Sequence, residues 1–256
     1  MGAKIIAGIH DTVLVVDFGA QYAQLIARRV REAQVYSEIV PHRITAAEVA
    51  AKAPKAIILS GGPKSVHVDG APILDPAIYE LGIPILGICY GCQLVAQQLG
   101  GVVDRGGRGE YGRATLTRST AASTLLGEST PQVHDVWMSH FDFVSELPAG
   151  FTNSAATPDA PNAVIENNER RIFGVQYHPE VVHTSSGQDL LVRFRLTLLG
   201  VHRTGQWQAL SMIRLQLSEN KWVLNAQSVV CRVVSTHQLQ PPLFTKQLVH
   251  NSHVSM

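Results

Sequence analysis

The segment Ile83-Pro84-Ile85-Leu86-Gly87-Ile88-Cys89-Tyr90-Gly91-Cys92-Gln93-Leu94 constrains this chain more than any other. From Ile83 to Ile88 it is a short apolar run of the kind that fills a strand buried on both faces, and from Gln93 to Leu99 the spacing turns helical. Between the two stands a cysteine set among glycines. A cysteine at a sharp strand-to-helix turn is lifted out of the sheet and faces the positive end of the next helix, which favours thiolate over thiol. Gly87 and Gly91 let the backbone make that turn without a Cβ clash. This is the logic of a hydrolase's nucleophile elbow, with Cys89 in the serine's place.

Around this turn, strand and helix patterns alternate. Residues 12–16 read as a strand followed by the turn Asp17-Phe18-Gly19. Residues 21–33 read as a helix with Leu25, Ile26 and Val30 inward and arginines outward. Residues 35–40 form a second strand, 46–51 a short helix, and 56–59 a buried strand ending in the breaker cluster Ser60-Gly61-Gly62-Pro63. Strands separated by helices imply parallel crossovers, so the expected fold class is α/β: a doubly wound, mostly parallel sheet flanked by helices. From Thr115 to Asn167 the pattern changes to short strands and turns, with strands expected at 136–138 and 163–165. Residues 172–175 are a further strand, ending at Gln176-Tyr177-His178-Pro179-Glu180, and 187–194 a last helix. Ligands of open α/β sheets gather at the carboxyl ends of the strands. Gly62, Cys89 and His178 all fall at such ends.

Composition narrows the partners. A formal net charge of +1 gives no reason to expect nucleic acid or an anionic membrane. No apolar run approaches the roughly 20 residues of a bilayer span, and the N-terminus lacks a signal-peptide layout. Three cysteines, Cys89, Cys92 and Cys231, do not form a disulfide framework, so a reducing cytoplasm is the expected setting.

A cysteine nucleophile needs a base and a group that orients the base. His178, held after a strand by Pro179, is the candidate base, and Glu180 the group that fixes its tautomer. The oxyanion formed during attack needs backbone N–H donors, which Gly62 and Tyr90 can present. Each feature alone has a plainer reading: a small buried cysteine, a loop with a solvated acid, a tight turn. Cys89 and Cys92 also fit a thioredoxin-like Cys-x-x-Cys pair, a reading that leaves the other two turns unexplained. A zinc site lacks a second ligand pair at metal spacing. Three features at three strand ends favour one active site.

Gly87-Ile-Cys89-Tyr-Gly91-Cys-Gln93, with Ser60-Gly-Gly-Pro63 before it and His178-Pro-Glu180 after it, resembles the class I (triad) glutamine amidotransferases. Further strings at residues 16–22, 110–114, 136–140 and 180–184 extend the resemblance over roughly residues 11–194. It implies that Cys89 attacks the side-chain amide of L-glutamine, His178 protonates the departing ammonia and Glu180 orients His178. It also implies that Gly62 and Tyr90 line the oxyanion hole, while Gly87, Gln93, Ser139 and His140 hold the substrate. Glutamine hydrolysis of this kind needs no cofactor or metal. The strings further imply a partner, an ATP-pyrophosphatase (synthetase) domain that uses the ammonia, with ATP and magnesium, to aminate xanthosine monophosphate. Two residues depart from the family pattern: Phe141, where glycine is usual and a ring is expected to crowd the glutamine pocket, and Cys92, where methionine is usual.

After Phe194 the chain is rich in Gln and loses βα alternation. The synthetase domain's phosphate loop, Ser-Gly-Gly-Val-Asp-Ser, is absent. With permitted codons, however, Val230 to His237 read one frame over give Leu-Ser-Gly-Gly-Val-Asp-Ser. The expectation is therefore an amidotransferase domain over 11–194 and an out-of-frame tail over 195–256, with the synthetase half missing. The alternatives are a non-catalytic glutamine-binding remnant and a stand-alone subunit with an unknown partner.

Overall fold

The computed structural model describes residues 11–20, 22–119 and 122–198. The tail expected to be out of frame, with Cys231, lies outside them apart from the last turn of a helix. In chain order the elements are β1 (Thr12–Asp17), α1 (Ala23–Glu32), β2 (Tyr36–Pro41), α2 (Ala46–Lys52), β3 (Ala56–Leu59), β4 (Ile85–Ile88) and α3 (Tyr90–Gln98). There follow β5 (Val102–Arg118), β6 (Val133–Glu146), β7 (Thr152–Ala156), β8 (Val164–Asn167), β9 (Ile172–Val175) and α4 (Gly187–Leu198). The nine strands form one sheet in the order β2-β1-β3-β4-β9-β8-β7-β5-β6. It is parallel from β2 to β9 and antiparallel from β9 to β6.

The parallel half is built by alternation. Successive side chains of a strand point to opposite faces. Val13 and Val15 of β1, Ile58 of β3, Leu86 of β4 and Phe173 of β9 therefore pack with Ile26, Ala27 and Val30 of α1 and Leu190, Leu191 and Phe194 of α4. Their neighbours Leu14, Val16, Ile57, Leu59, Ile85 and Ile172 meet the other layer, with Val49 of α2, Ile78 and Tyr79 of the 3₁₀ turn Pro76–Glu80, and Leu94 and Val95 of α3. α1 buries Ala23, Ile26, Ala27 and Val30, the i, i+3, i+4, i+7 stripe of a helix lying on a sheet. α2 starts on a capping box, Thr45 with Glu48, which satisfies donors that the first turn leaves open. This is the doubly wound α/β arrangement expected from the alternating runs.

The antiparallel half differs from expectation. β7 and β8 are short, the latter on the run expected at 163–165, but a 17-residue β5 and a 14-residue β6 stand where only a short strand at 136–138 was expected. The inward row of β6 is His134, Val136, Met138, His140, Asp142 and Val144, and its outward row includes Val133 and the 47% exposed Phe141. Polar side chains inside and apolar ones outside erase the hydrophobic alternation that marks a strand. β5 is full of glycine and charge. α3 also begins three residues earlier than its apolar spacing suggests, at Tyr90, because the elbow itself is its first turn.

β6 is an edge of the sheet, and the loop after β9 covers it. The His178 N–H donates to the Trp137 carbonyl at 3.0 Å and the Ser185 N–H to that of Asp135 at 3.4 Å, while the Trp137 N–H reaches the Thr184 hydroxyl at 3.1 Å. The Thr184 hydroxyl in turn donates to the His178 carbonyl at 2.7 Å.

Candidate active site

Cys89 sits at φ 52°, ψ −105°, between β4 and α3. A non-glycine residue there is strained by about 1–3 kcal/mol, so its surroundings must hold it. Its N–H is tied to the Val175 carbonyl at 2.8 Å, and its carbonyl takes the first helical bond of α3, from the Gln93 N–H at 3.1 Å. The two flanking glycines are required by contact. A Cβ on Gly87 would lie 2.5 Å from the Gly91 oxygen, and one on Gly91 would lie 2.5 Å from the Leu59 oxygen. Tyr90, Gly91 and Cys92 open the helix, where N–H groups have no carbonyl four residues back. The Cys89 side chain thus stands at a positive helix end.

His178 arrives from the end of β9. Its Nδ1 lies 2.7 Å from Glu180 Oε1, and Glu180 is fully buried. A carboxylate only accepts, so Nδ1 carries hydrogen and Nε2 is left for the nucleophile. Burial alone would discharge the ring. Hydrogen bonds to Cys89 and Glu180, reinforced by their charge, outweigh it and push the pKa up to about 10. Tyr22 packs on the ring with centroids 5.2 Å apart. Arg29 of α1, expected among the outward arginines, donates from Nε to the Glu180 carbonyl at 2.9 Å and so ties the helix to the His178–Glu180 turn.

The turn after β3 closes the site from a third side. A Cβ on Gly61 would meet His178 Cε1 at 3.3 Å and Cys89 Cβ at 3.9 Å, so this backbone runs against both side chains. Gly62 lies over the Tyr90 ring, where a Cβ would meet Cγ at 2.8 Å. The two residues expected to supply oxyanion donors are therefore neighbours. Cys89 Sγ itself has the Ser139 carbonyl at 3.6 Å and Gln176 Nε2 at 3.8 Å.

The residues expected to hold substrate divide. Gly87 is the close-approach position under the elbow. Ser139 is exposed and presents its main-chain carbonyl to Cys89 Sγ. Gln93 and His140 are buried, with side chains engaged inside the protein: Gln93 Nε2 on the Asp142 carbonyl at 2.6 Å and on Gln176 Oε1 at 3.3 Å, His140 on Asp142 and Glu110. Burial draws the His140 pKa down, against the pull of Glu110. Phe141 stands in the exposed row of β6 with Ser139. Cys92 is wholly buried beside Gly174, and burial drives its thiol pKa up, the opposite of what an exchanging thiol needs. Both described cysteines are free, and among the described residues no cluster of His, Cys, Asp and Glu is arranged to hold a metal. Gln176, Tyr22 and Arg29 were not singled out from sequence. Tyr22 closes the string at residues 16–22 and Gln176 stands two residues before His178, but neither was given a role.

A thiol on a strained strand–helix elbow, a buried His–Glu pair and a glycine turn against both define a class of protein. The family model for class I glutamine amidotransferases matches residues 14–198, and the chain belongs to that family. Among curated relatives it is 52% identical over 221 residues to the glutamine-hydrolysing GMP synthase of Thermobifida fusca, and 54% identical over 200 residues to that of Corynebacterium diphtheriae. The alignments take in 86% and 78% of this chain but only 41% and 37% of those proteins, so it spans about two-fifths of their length. A solved structure of a putative GMP synthase subunit from Thermoplasma acidophilum superposes with TM-score 0.68 at 28% identity, covering 75% of this chain and 96% of that one. A Thermotoga maritima glutamine amidotransferase, at 18% identity and TM-score 0.58 over 76% of this chain and all of its own, shares the fold.

Proposed function

We propose that this chain is the glutaminase part of a GMP synthase. The observation that carries the proposal is the convergence of Cys89, the His178–Glu180 pair and the Gly61–Gly62 turn at three neighbouring strand ends. Cys89 Sγ adds to the side-chain carbonyl of L-glutamine, and the oxyanion is met by the N–H groups of Gly62 and Tyr90. His178 gives its proton to the amide nitrogen, the C–N bond breaks and ammonia leaves a γ-glutamyl thioester. Water, with its proton taken by His178, then breaks the C–S bond and releases glutamate. Glu180 holds the imidazole in the required tautomer throughout. Gly87 and Ser139 line the glutamine pocket, Ser139 through its main chain, while Gln93 and His140, their side chains engaged inside the protein, support its wall from behind. Neither cofactor nor metal enters these steps.

The ammonia goes to a synthetase domain that aminates xanthosine monophosphate with ATP and magnesium. That domain supplies the rest of the length of the curated relatives, and the setting is the cytoplasm, in keeping with free thiols. Residues 195–256 are read as out of frame, which resequencing across their codons tests. The similarity to a GMP synthase subunit over 96% of that protein's length favours a second arrangement, in which the chain works as a separate polypeptide beside its synthetase.

The test is alkylation of Cys89 by a diazoketone analogue of glutamine, read by peptide mapping, alongside release of glutamate. Labelling confined to Cys89 and competed away by glutamine supports the reading. An unlabelled Cys89 in folded protein favours the silent glutamine-binding remnant.

A further inference from the structure

The pairing of β5 with β6 breaks register at one point. Arg105 pairs with Asp142 and Glu110 with His140, so residues 106–109 of β5 loop out opposite the single residue Phe141. A bulge of this length withdraws ladder partners from the facing strand, and a buried carbonyl left without a donor is costly. Side chains serve the Asp142 carbonyl instead: Gln93 Nε2 donates at 2.6 Å and His140 Nδ1 at 3.0 Å. Because a carbonyl only accepts, His140 Nδ1 carries hydrogen. Its Nε2 faces Glu110 Oε2 at 3.1 Å, so one proton lies between the two. Thr157 donates its hydroxyl to the same oxygen at 2.8 Å, while its own oxygen receives the Ala160 N–H at 3.1 Å.

This buried set leaves no ring nitrogen of His140 for a substrate. What it holds in place is the backbone of residues 139–142, whose Ser139 carbonyl faces Cys89 Sγ at 3.6 Å. A second line runs to the same sulfur. Gln93, fixed on the Asp142 carbonyl, meets Gln176 Oε1 at 3.3 Å, and Gln176 Nε2 lies 3.8 Å from Sγ.

We propose that His140 and Glu110 are positioning residues: through the backbone of residues 139–142 and the Gln93–Gln176 pair they set the aim of Cys89, and neither side chain touches glutamine. The inference rests on the glutaminase reading above. Removing the clamp slows the covalent step and leaves glutamine recognition in place.

The experiment measures inactivation of the full chain by the diazoketone analogue, separating the maximal rate of Cys89 labelling from the concentration giving half that rate. His140→Ala and Glu110→Ala are expected to lower the maximal rate by about 10- to 100-fold, the effect of a misplaced reacting group, with the half-saturating concentration within about threefold. Glu110→Gln, whose amide still donates to Nε2 of a neutral His140, is expected to recover most of the rate. Thermal melts identify variants that fail to fold; if His140→Ala does, the Glu110→Ala and Glu110→Gln pair decides. The inference is overturned if folded His140→Ala labels at the wild-type rate, if its half-saturating concentration alone rises, or if Glu110→Gln is as slow as Glu110→Ala. A wild-type chain that never labels at Cys89 sinks the functional reading instead, and the inference with it.

Discussion

Cys89 is aimed by backbone; the strand across from it is aimed by side chains. On the elbow side, Gly87 and Gly91 have no Cβ, the chain turns sharply, and Cys89 comes to rest at φ 52° on a helix end. The residues that make the turn lie within a dozen positions, and only main-chain groups of β3 and β9 are needed from elsewhere. On the β6 side, the backbone next to the Ser139 carbonyl is held at Asp142 by Gln93 and His140, and His140 in turn by Glu110 and Thr157, drawn from α3, β6, β5 and the turn after β7. The first device is local and stiff. The second is assembled over long sequence distances, and it is only as firm as its hydrogen bonds.

The largest effects are expected at the chemical groups where the two regions meet. His178→Ala removes the proton carrier and should lower glutamine turnover by about 10²–10⁴-fold, measured as glutamate release, while the melting curve shows the fold retained. Next comes the elbow. Gly87→Ala sets a methyl 2.5 Å from a backbone oxygen, which nothing nearby can yield to. It should cost about 1–3 kcal/mol of stability by urea unfolding and abolish Cys89 labelling. A Gly87→Ala protein with normal stability and labelling would erase the contrast between the two regions.

The pH dependence sharpens the same contrast. His178 has a folded pKa raised to about 10, above its ordinary value of 6.5. Its contribution to stability is therefore full below about pH 6.5 and is lost as the pH rises through about 10. Since Cys89 supports that charge, Cys89→Ser should lower the His178 titration midpoint followed by NMR and flatten the alkaline loss of stability. An unchanged midpoint would detach His178 from the elbow. Gly61→Ala is milder, because a methyl 3.3 Å from the His178 ring needs only a few tenths of an ångström of yielding; reduced labelling with an unchanged melt is expected. Phe141→Gly should matter least. The ring is 47% exposed, so little more than the backbone cost of a glycine in mid-strand, about 0.5–1 kcal/mol, is expected in stability, and a large gain in glutamine turnover would support the expectation that the ring crowds the pocket.

The same division decided what could be read from the chain. β1, β3 and β9 are short apolar runs buried on both faces, and their pattern needs no partner to be recognised. The elbow announced itself because its glycines and cysteine are contiguous. β5 and β6 did not, since His134, His140 and Asp142 fill inward positions while Phe141 faces out. Polar residues go inside only when specific partners satisfy them, and those partners are scattered along the chain. His140 shows the limit most clearly: its type and place suggested a substrate ligand, but its two nitrogens are spent on Asp142 and Glu110.

The loop that carries His178 and Glu180 also lies along an open edge of the sheet, where it takes up the main-chain groups of Asp135 and Trp137. An uncovered strand of that length is a template for pairing with another chain. The His178–Glu180 turn therefore covers the edge of the sheet as well as carrying the candidate base. A change that unseats the whole turn from β6, unlike one that only removes the His178 ring, should show itself as aggregation as well as lost turnover.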